Sequence, residues 1–513
     1  MIPNHWEMTM EPGTPISLAG MALDLRWAHL PDDLDQQLGD PLARAFGELQ
    51  MLEAGAIANP DEQRQVGHYW LRAPELAPEE ARRAIVASWQ SVQAAVDLVA
   101  GRFDKVLVIG IGGSALGPQL VADALSSPAD RRRVIFMDNT DPDGMSRVIE
   151  SARPLADTVC VVISKSGGTP ETRNGMLVAK AAWEADGLAF GDHAFAVTQS
   201  GSALDKQAIA ERFIMRLPMW DWVGGRTSVT SVVGLLPAAL QGLDTTALLE
   251  GAKAMDARTR RFALGENPAA LLALAWYHLG KGRGDRAMVV LPYKDRLVLM
   301  SRYLQQLVME SLGKRLDRQG QEVHQGLVVY GNKGSTDQHA YVQQLRDGRN
   351  DFFATFIEVL EDGPPSGLAA ALEVDPGIRP GDYLSGFLAG TRKALDEAGR
   401  PSLTLTARWV DAAVIGAIIA LFERAVSIYA SLIDVNAYHQ PGVEAGKKAA
   451  AVLVALQRQL VDVLASGRSG TAESIAAELG ADPRDVFHVL RHLAANGRVR
   501  EDGGGLGRRF SGC

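Results

Sequence analysis

Two glycine- and hydroxyl-rich segments are the first places in this sequence where chemistry could be done. In VLVIGIGGSALG, a strand-like apolar run leads into Gly110, Gly112, Gly113 and Ser114 and then into a helix-like stretch. Such a turn presents bare amides at a helix N-terminus, which suits an oxyanion. The spacing Gly110-x-Gly112-x-x-Ala115 also meets the relaxed dinucleotide fingerprint, with Asp138 at the end of the next strand as the ribose-binding acid. The second segment weighs against that reading. VCVVIS runs into Ser164, Lys165, Ser166, Gly167, Gly168, Thr169, Pro170, Glu171 and Thr172, crowding four hydroxyls onto one strand-to-helix turn. Hydroxyls and free amides together make a cradle for a phosphate dianion, and a dinucleotide fold has no need of a second such loop. A plain N-cap in a Ser/Thr-rich turn explains one or two hydroxyls but not all of them.

Four ionisable residues could move protons or hold charge. Glu310 lies on an expected helix whose apolar face is Leu304, Leu307, Val308 and Leu312, with Gln306 and Glu310 sharing another face at i, i+4 spacing. That face either lines a cleft or carries a surface Glu310–Lys314 ion pair. Arg226 follows Gly224-Gly225 and is either an inward-reaching cation or half of an ordinary turn ion pair. Lys447 shares a helical stripe with Val443, Ala450, Ala451 and Val454, where a charge wants a buried partner or a cavity. His339, in STDQHAYVQQL, titrates near neutrality, although a lone histidine is usually structural. No HExxH, paired CxxC or clustered acidic set occurs, so no metal and no cofactor are expected.

The elements that must position these residues follow from the pattern. Residues 1–100 read as a helical N-terminal region. From Lys105, short β-branched runs alternate with helical segments, which argues for βαβ units and a parallel sheet. A second set, RAMVVLPY, QGLVVYG and FFATFIEVL, predicts a second lobe. The expected class is α/β, with a first lobe over 101–265, a second over 266–465 closed by a C-terminal helix, and a small winged-helix-like extension over 466–513 whose Asp482-Pro483 starts a helix. In that extension Asp482, Asp485, Glu501 and Asp502 offset much of the arginine charge, so packing is favoured over nucleic-acid binding. The whole chain has 513 residues, 47% hydrophobic and 22% charged, with net charge -9, and so has no basic field for nucleic acid or an anionic membrane. Two cysteines with no framework spacing, no signal-peptide layout and no apolar run of membrane-spanning length predict a cytoplasmic protein.

Ser164-x-Ser166-Gly167-x-Thr169-x-Glu171 resembles the phosphate loop of the sugar isomerase domain, and IGIGGSALGP from Ile109 is similar to the first signature of the glucose-6-phosphate isomerase family. WVGGRTSVTSVVGL from Trp222, QQLVMESLGK from Gln305, GSTDQHAYVQQLRDG from Gly334 and HQPGVEAGK from His439 resemble the same family in the same order. The resemblance implies two three-layer α/β/α sugar isomerase lobes and a cofactor-free aldose-ketose isomerisation of a sugar 6-phosphate. It assigns phosphate to Ser164, Lys165, Ser166, Thr169 and Thr172, and the sugar to Gly113, Ser114, Gly225, Gln306 and Gln440. It makes Glu310 the base, Arg226 the charge stabiliser, and His339 and Lys447 the ring-opening groups. His339 would come from a neighbouring subunit, so a homodimer is implied. Leu312, Asp337, Tyr438-His439, Gly167-Gly168 and Pro170 depart from the family's usual residues, which bears on substrate preference. A sugar-phosphate-sensing regulator, with the C-terminal extension as a helix-turn-helix unit, is the alternative.

Overall fold

The structure is a computed structural model that describes residues 3–9, 14–363, 367–504 and 508–513, without the side chain at position 444. Five parallel strands, Lys105–Ile109, Arg133–Met137, Thr158–Ile163, Ala194–Thr198 and Met215–Pro218, form the first sheet. Their β-branched sequences are buried on both faces. Val106, Val108, Val159 and Val161 point into one core, and Leu107, Ile109, Cys160 and Val162 into another. That alternation demands helices on both sides, hence three layers. In space the second strand lies on one side of the first and the third on the other. The chain therefore changes direction between the first and third strands, and the turns after them, Gly110–Ser114 and Ser164–Gly168, flank the crevice where open α/β sheets bind ligands.

The second sheet repeats this connectivity. Ala287–Pro292 is central, Val329–Tyr330 pairs on one side, and Phe352–Val359 followed by Ser402–Ala407 continues on the other, all parallel. Beyond them the sheet is antiparallel. Ala22–Asp24 pairs with Thr404–Thr406, and His5–Glu7 pairs with Ala22–Asp24. The expected helical N-terminal region thus also holds two short strands: Trp6, Ala22 and Leu23 are buried, and these strands cover an edge that Ser402–Ala407 would otherwise expose.

Helix Ala412–Leu432 is long and apolar enough to cross a membrane by length and composition, although Glu423 and Arg424 interrupt its apolar run, and every residue of it is buried inside the protein. It packs on helices Thr245–Thr259, Pro268–Leu279 and Gly39–Glu53. The first of these approaches it backbone to backbone: a Cβ on Gly251 would lie 1.9 Å from the Ala413 carbonyl oxygen, and one on Gly416 1.9 Å from that of Leu248. Its two charged residues join a buried network. Arg72 donates to Asp256 at 2.7 and 3.0 Å and to Glu423 at 2.5 Å, and Arg424 donates to Asp256 at 3.2 Å and to Glu53. Burial alone would push the Asp256 carboxyl up, but the Arg72 and Arg424 guanidinium groups hold it well below the usual carboxylate range. The network ties the N-terminal region to the second lobe.

By contacts the chain forms two units, Met1–His439 and Gln440–Cys513. From sequence, the helix Pro441–Ala465 is expected to close the second lobe. Its Leu456, Leu460 and Leu464 instead share a core with Ile475, Val486, Leu490, Leu493 and Phe510 of the C-terminal module, because their i, i+4 spacing makes one stripe for that module to cover. The module holds helices Ala472–Leu479 and Pro483–Ala495, capped by the Thr471 and Asp482 side chains, and a sheet of Ser469–Gly470, Arg509–Ser511 and Arg500–Asp502.

Asp256→Asn should destabilise the protein by about 3–5 kcal/mol, because it leaves two buried guanidinium groups short of their shared anion. Urea unfolding measures this, and a change under about 1 kcal/mol would mean the network is not holding the two regions together.

Candidate active site

Helix Met300–Leu304 continues without a break into a wider π-helical stretch, Gln305–Glu310. Leu304, Leu307, Val308 and Leu312 are buried as expected, which leaves Gln306 and Glu310 on a different face. Gln306 Nε2 donates to Glu310 Oε2 at 3.2 Å. The same oxygen lies 2.9 Å from an Arg226 terminal nitrogen, with the two side chains only 18% and 6% exposed. Of the alternatives left open by the sequence, the surface pair with Lys314 is not formed. Lys314 is buried, and its Nζ donates at 2.8 Å to each of the Glu310 and Ser311 backbone carbonyls. Burial first, and then the Arg226 charge, brings the Lys314 amine down to about 7 against the opposing pull of Glu310 and Asp61.

Arg226 leaves a single helical turn, Gly225–Thr227. Its other terminal nitrogen donates to the carbonyls of Ala437 at 3.2 Å and His439 at 3.0 Å. The glycines explain how this turn reaches the first sheet. A Cβ on Gly113 would sit 2.0 Å from the Gly225 carbonyl oxygen, and Gly112, at φ +59°, would place one 3.1 Å from Gln306 Nε2. Gly113, Gly225, Arg226, Gln306 and Glu310 are thereby gathered from three separate segments, with Ser114 on the turn beside them.

The hydroxyl loop begins at the carboxyl end of Thr158–Ile163. Ser164 Oγ accepts from the Gly167 amide at 3.1 Å and Ser166 Oγ from the Gly168 amide at 3.2 Å. Gly167 stands at φ +70°, where a Cβ would lie 2.2 Å from the Leu204 amide nitrogen. Thr169 is the N-cap residue of helix Pro170–Ala185 and makes no capping bond of its own, while Thr172 is buried one turn in. The Lys165 ammonium bonds the Asp221 carbonyl at 2.9 Å, its carboxylate at 3.1 Å and the Val223 carbonyl at 3.4 Å. Lys165 thus straps the loop to the segment that ends in Arg226.

Three further residues were expected at the site: His339, Gln440 and Lys447. His339 is exposed at the end of the turn Thr336–His339, and among the described residues no hydrogen bond or ion pair joins it to Glu310. Asp337 anchors that turn by accepting from the Asn332 amide at 2.9 Å and the Tyr341 hydroxyl at 2.5 Å. Gln440 and Lys447 belong to the second unit, at the start of helix Pro441–Ala465. Along the Lys447 stripe Val443 is 41% and Val454 53% exposed, and the leucines from Leu456 onward enter the module's core.

Two residues near Glu310 and Arg226 were not among the expected site residues. Lys314 was visible only as a spacing from Glu310. Arg64 lies in NPDEQRQ with no pattern to mark it, yet it donates to the carbonyls of Tyr438 at 2.9 Å and Asp221 at 3.3 Å. It helps Arg226 hold the segment that ends at His439.

A family model described as Phosphoglucose isomerase matches residues 51–364 and 392–472. The chain belongs to the phosphoglucose isomerase family. Relatives include the glucose-6-phosphate isomerase of Geobacter sp. (strain M21), 57% identical over 495 residues that cover 93% of this chain and 92% of the relative. That of Geobacter sulfurreducens is 56% identical and covers 96% of each chain. Among solved structures, a glucose-6-phosphate isomerase from Chlamydia trachomatis superposes with a TM-score of 0.78 at 27% identity, covering 85% of this chain and 89% of that one. The two matched stretches of the phosphoglucose isomerase family contain every candidate site residue, from Gly113 to Lys447.

Gly113→Ala should cost about 1–3 kcal/mol by forcing two backbones apart. An unchanged urea midpoint would show that the Gly113–Gly225 approach can relax freely.

Proposed function

We infer that this chain interconverts glucose 6-phosphate and fructose 6-phosphate. The observation that carries the reading is the Glu310 carboxylate, held 2.9 Å from Arg226 where the glycine turns converge, in a member of this isomerase family. The sugar's phosphate would lie in the Ser164–Thr172 cradle, at the N-terminus of a 16-residue helix that favours anions. Its C1–C2 end would then face Gly113, Ser114, Gln306 and Glu310. After His339 and Lys447 open the ring, Glu310 takes the proton from C2 of the aldose and returns it to C1, while the hydroxyl proton of C2 moves to the C1 oxygen. The enediolate formed between these steps carries its charge beside the Arg226 guanidinium, a preorganised contact worth ~3 kcal/mol of transition-state stabilisation. Moving a proton between adjacent carbons needs no redox group, so the proposed reaction calls for no cofactor.

A homodimer is part of this reading, because the exposed His339 would serve the neighbouring subunit's site, and Gln440 would contact the sugar. A cytoplasmic location is supported by two cysteines that are both free, Cys160 buried and Cys513 exposed. The sugar-sensing regulator is not supported: the family match spans both lobes, and the second lobe carries Glu310. In the C-terminal module Arg484 and Arg508 are already paired with Asp482 and Glu501, which leaves less cationic surface for nucleic acid.

In metal-free, nucleotide-free buffer, NMR should show fructose 6-phosphate converting to glucose 6-phosphate. Glu310→Gln should lower kcat by about 10³-fold or more while the sugar phosphate still binds. An inactive wild type, or an active Glu310→Gln enzyme, would overturn the assignment. For the shared site, mixing unfolded Glu310→Gln and His339→Ala chains and refolding them together should restore roughly a quarter of the sites, since one site of each hybrid dimer is intact. No recovery would place His339 in its own subunit's site.

A further inference from the structure

Lys314 is a charged group against Glu310 that the proposed chemistry leaves unused. It opens the strand Lys314–Leu316, directly after the last turn of the helix that bears Glu310, and it is 4% exposed. Its stem does not run out to water. The ammonium doubles back and donates at 2.8 Å to the Glu310 carbonyl and at 2.8 Å to the Ser311 carbonyl. Carbonyls of a last turn have no acceptor role left inside their own helix, and they form its negative end. A cation is a favourable cap there. Yet an exposed lysine, a water or a glycine turn would cap the helix without burying a charge, and a buried ammonium is otherwise costly.

What distinguishes this cap is the residue it grips. The Glu310 side chain is fixed by Gln306 and Arg226, and its own carbonyl is fixed by Lys314. The grip uses two N–H groups, which a lysine amine retains whether or not it carries its third proton, so it survives titration near neutral pH. The charged and titratable groups around the Lys314 amine are Arg226, Glu310, Asp61 and His439. The wide π-helical stretch Gln305–Glu310 immediately precedes the cap. Such stretches hold a backbone less regular than an α-helix and commonly sit at functional sites.

We propose that Lys314 is a positioning residue for the proton transfer: by clamping the main chain at Glu310 and Ser311 it keeps the Glu310 carboxylate aligned on Arg226 and on the substrate's C1–C2 edge. This rests on Glu310 being the base.

The test is steady-state kinetics with fructose 6-phosphate on Lys314→Met and Lys314→Gln enzymes, together with proton NMR of product formed in deuterium oxide. Lys314→Met should lower kcat about 100-fold, the usual cost of misplacing a reacting group by an ångström, with KM within about threefold because the phosphate cradle is untouched. A carboxylate that is loosely held should also exchange its proton with solvent before returning it, so deuterium at the carbon receiving the proton should rise. Lys314→Gln keeps an N–H donor and should recover about tenfold of the lost kcat. A folded Lys314→Met enzyme with wild-type kcat and wild-type deuterium content overturns the proposal, as does a change confined to KM. Should Lys314→Met not fold, Lys314→Gln decides alone: a kcat about tenfold below wild type supports the clamp, and wild-type kcat overturns it. Wild-type protein that fails to isomerise fructose 6-phosphate would instead sink the functional reading, so the two failures are separable.

Discussion

A guanidinium and a carboxylate removed from water must find enough partners to offset what hydration gave them. Arg226 does so by dividing its donors: one end faces Glu310, and the other faces the Ala437 and His439 carbonyls. Each partner arrives on a different stretch of chain, so the pair exists only if those stretches converge within a few tenths of an ångström. Glycine at 113 permits that convergence, since a single β-carbon there would collide with the facing Gly225 backbone. The geometry of the site is therefore set less by the charged side chains than by the absence of side chains next to them.

Convergence in turn needs rigid supports. Two sheets of the same connectivity place their switch points at their carboxyl ends, and the first supplies both the hydroxyl cradle and the Gly110–Ser114 turn. Behind them, helix Ala412–Leu432 fills the middle of the first unit. The ion network of Arg72, Asp256, Glu423 and Arg424 locks that helix to the N-terminal region at one depth and one rotation. Lys165 and Arg64 do similar work nearer the site, each gripping the Asp221 carbonyl from a different segment of the chain.

Much of this could be read from sequence because it depends on local pattern. The β-branched runs fix the parallel sheets, the four hydroxyls mark the cradle, and the i, i+4 offset from Gln306 to Glu310 survives the change from α- to π-helical winding. What escaped depends on distant partners. Strand Ala22–Asp24 is too short to declare itself and forms because an edge awaits it. The Lys314 spacing suggested a surface ion pair, but the ammonium turned to backbone carbonyls, which no residue type announces. The stripe containing Lys447 had the periodicity of a buried face, and periodicity does not say which partner covers a face or whether one belongs to the same unit. Neither Arg64 nor Arg72 is marked by local pattern: beyond its neighbour Glu62, Arg64 bonds carbonyls more than a hundred residues away, and the carboxylate partners of Arg72 also lie at that distance.

The burial of Ala412–Leu432 also bears on how the protein is made. Translation delivers this helix late, after the segments that enclose it on three sides: Gly39–Glu53, Thr245–Thr259 and Pro268–Leu279. Until it emerges from the ribosome, those neighbours display oily surfaces with nothing to lay them against, and chains stopped before residue 412 keep that stickiness for good. The apolar faces of those three helices therefore gain their cover only when one late helix is complete.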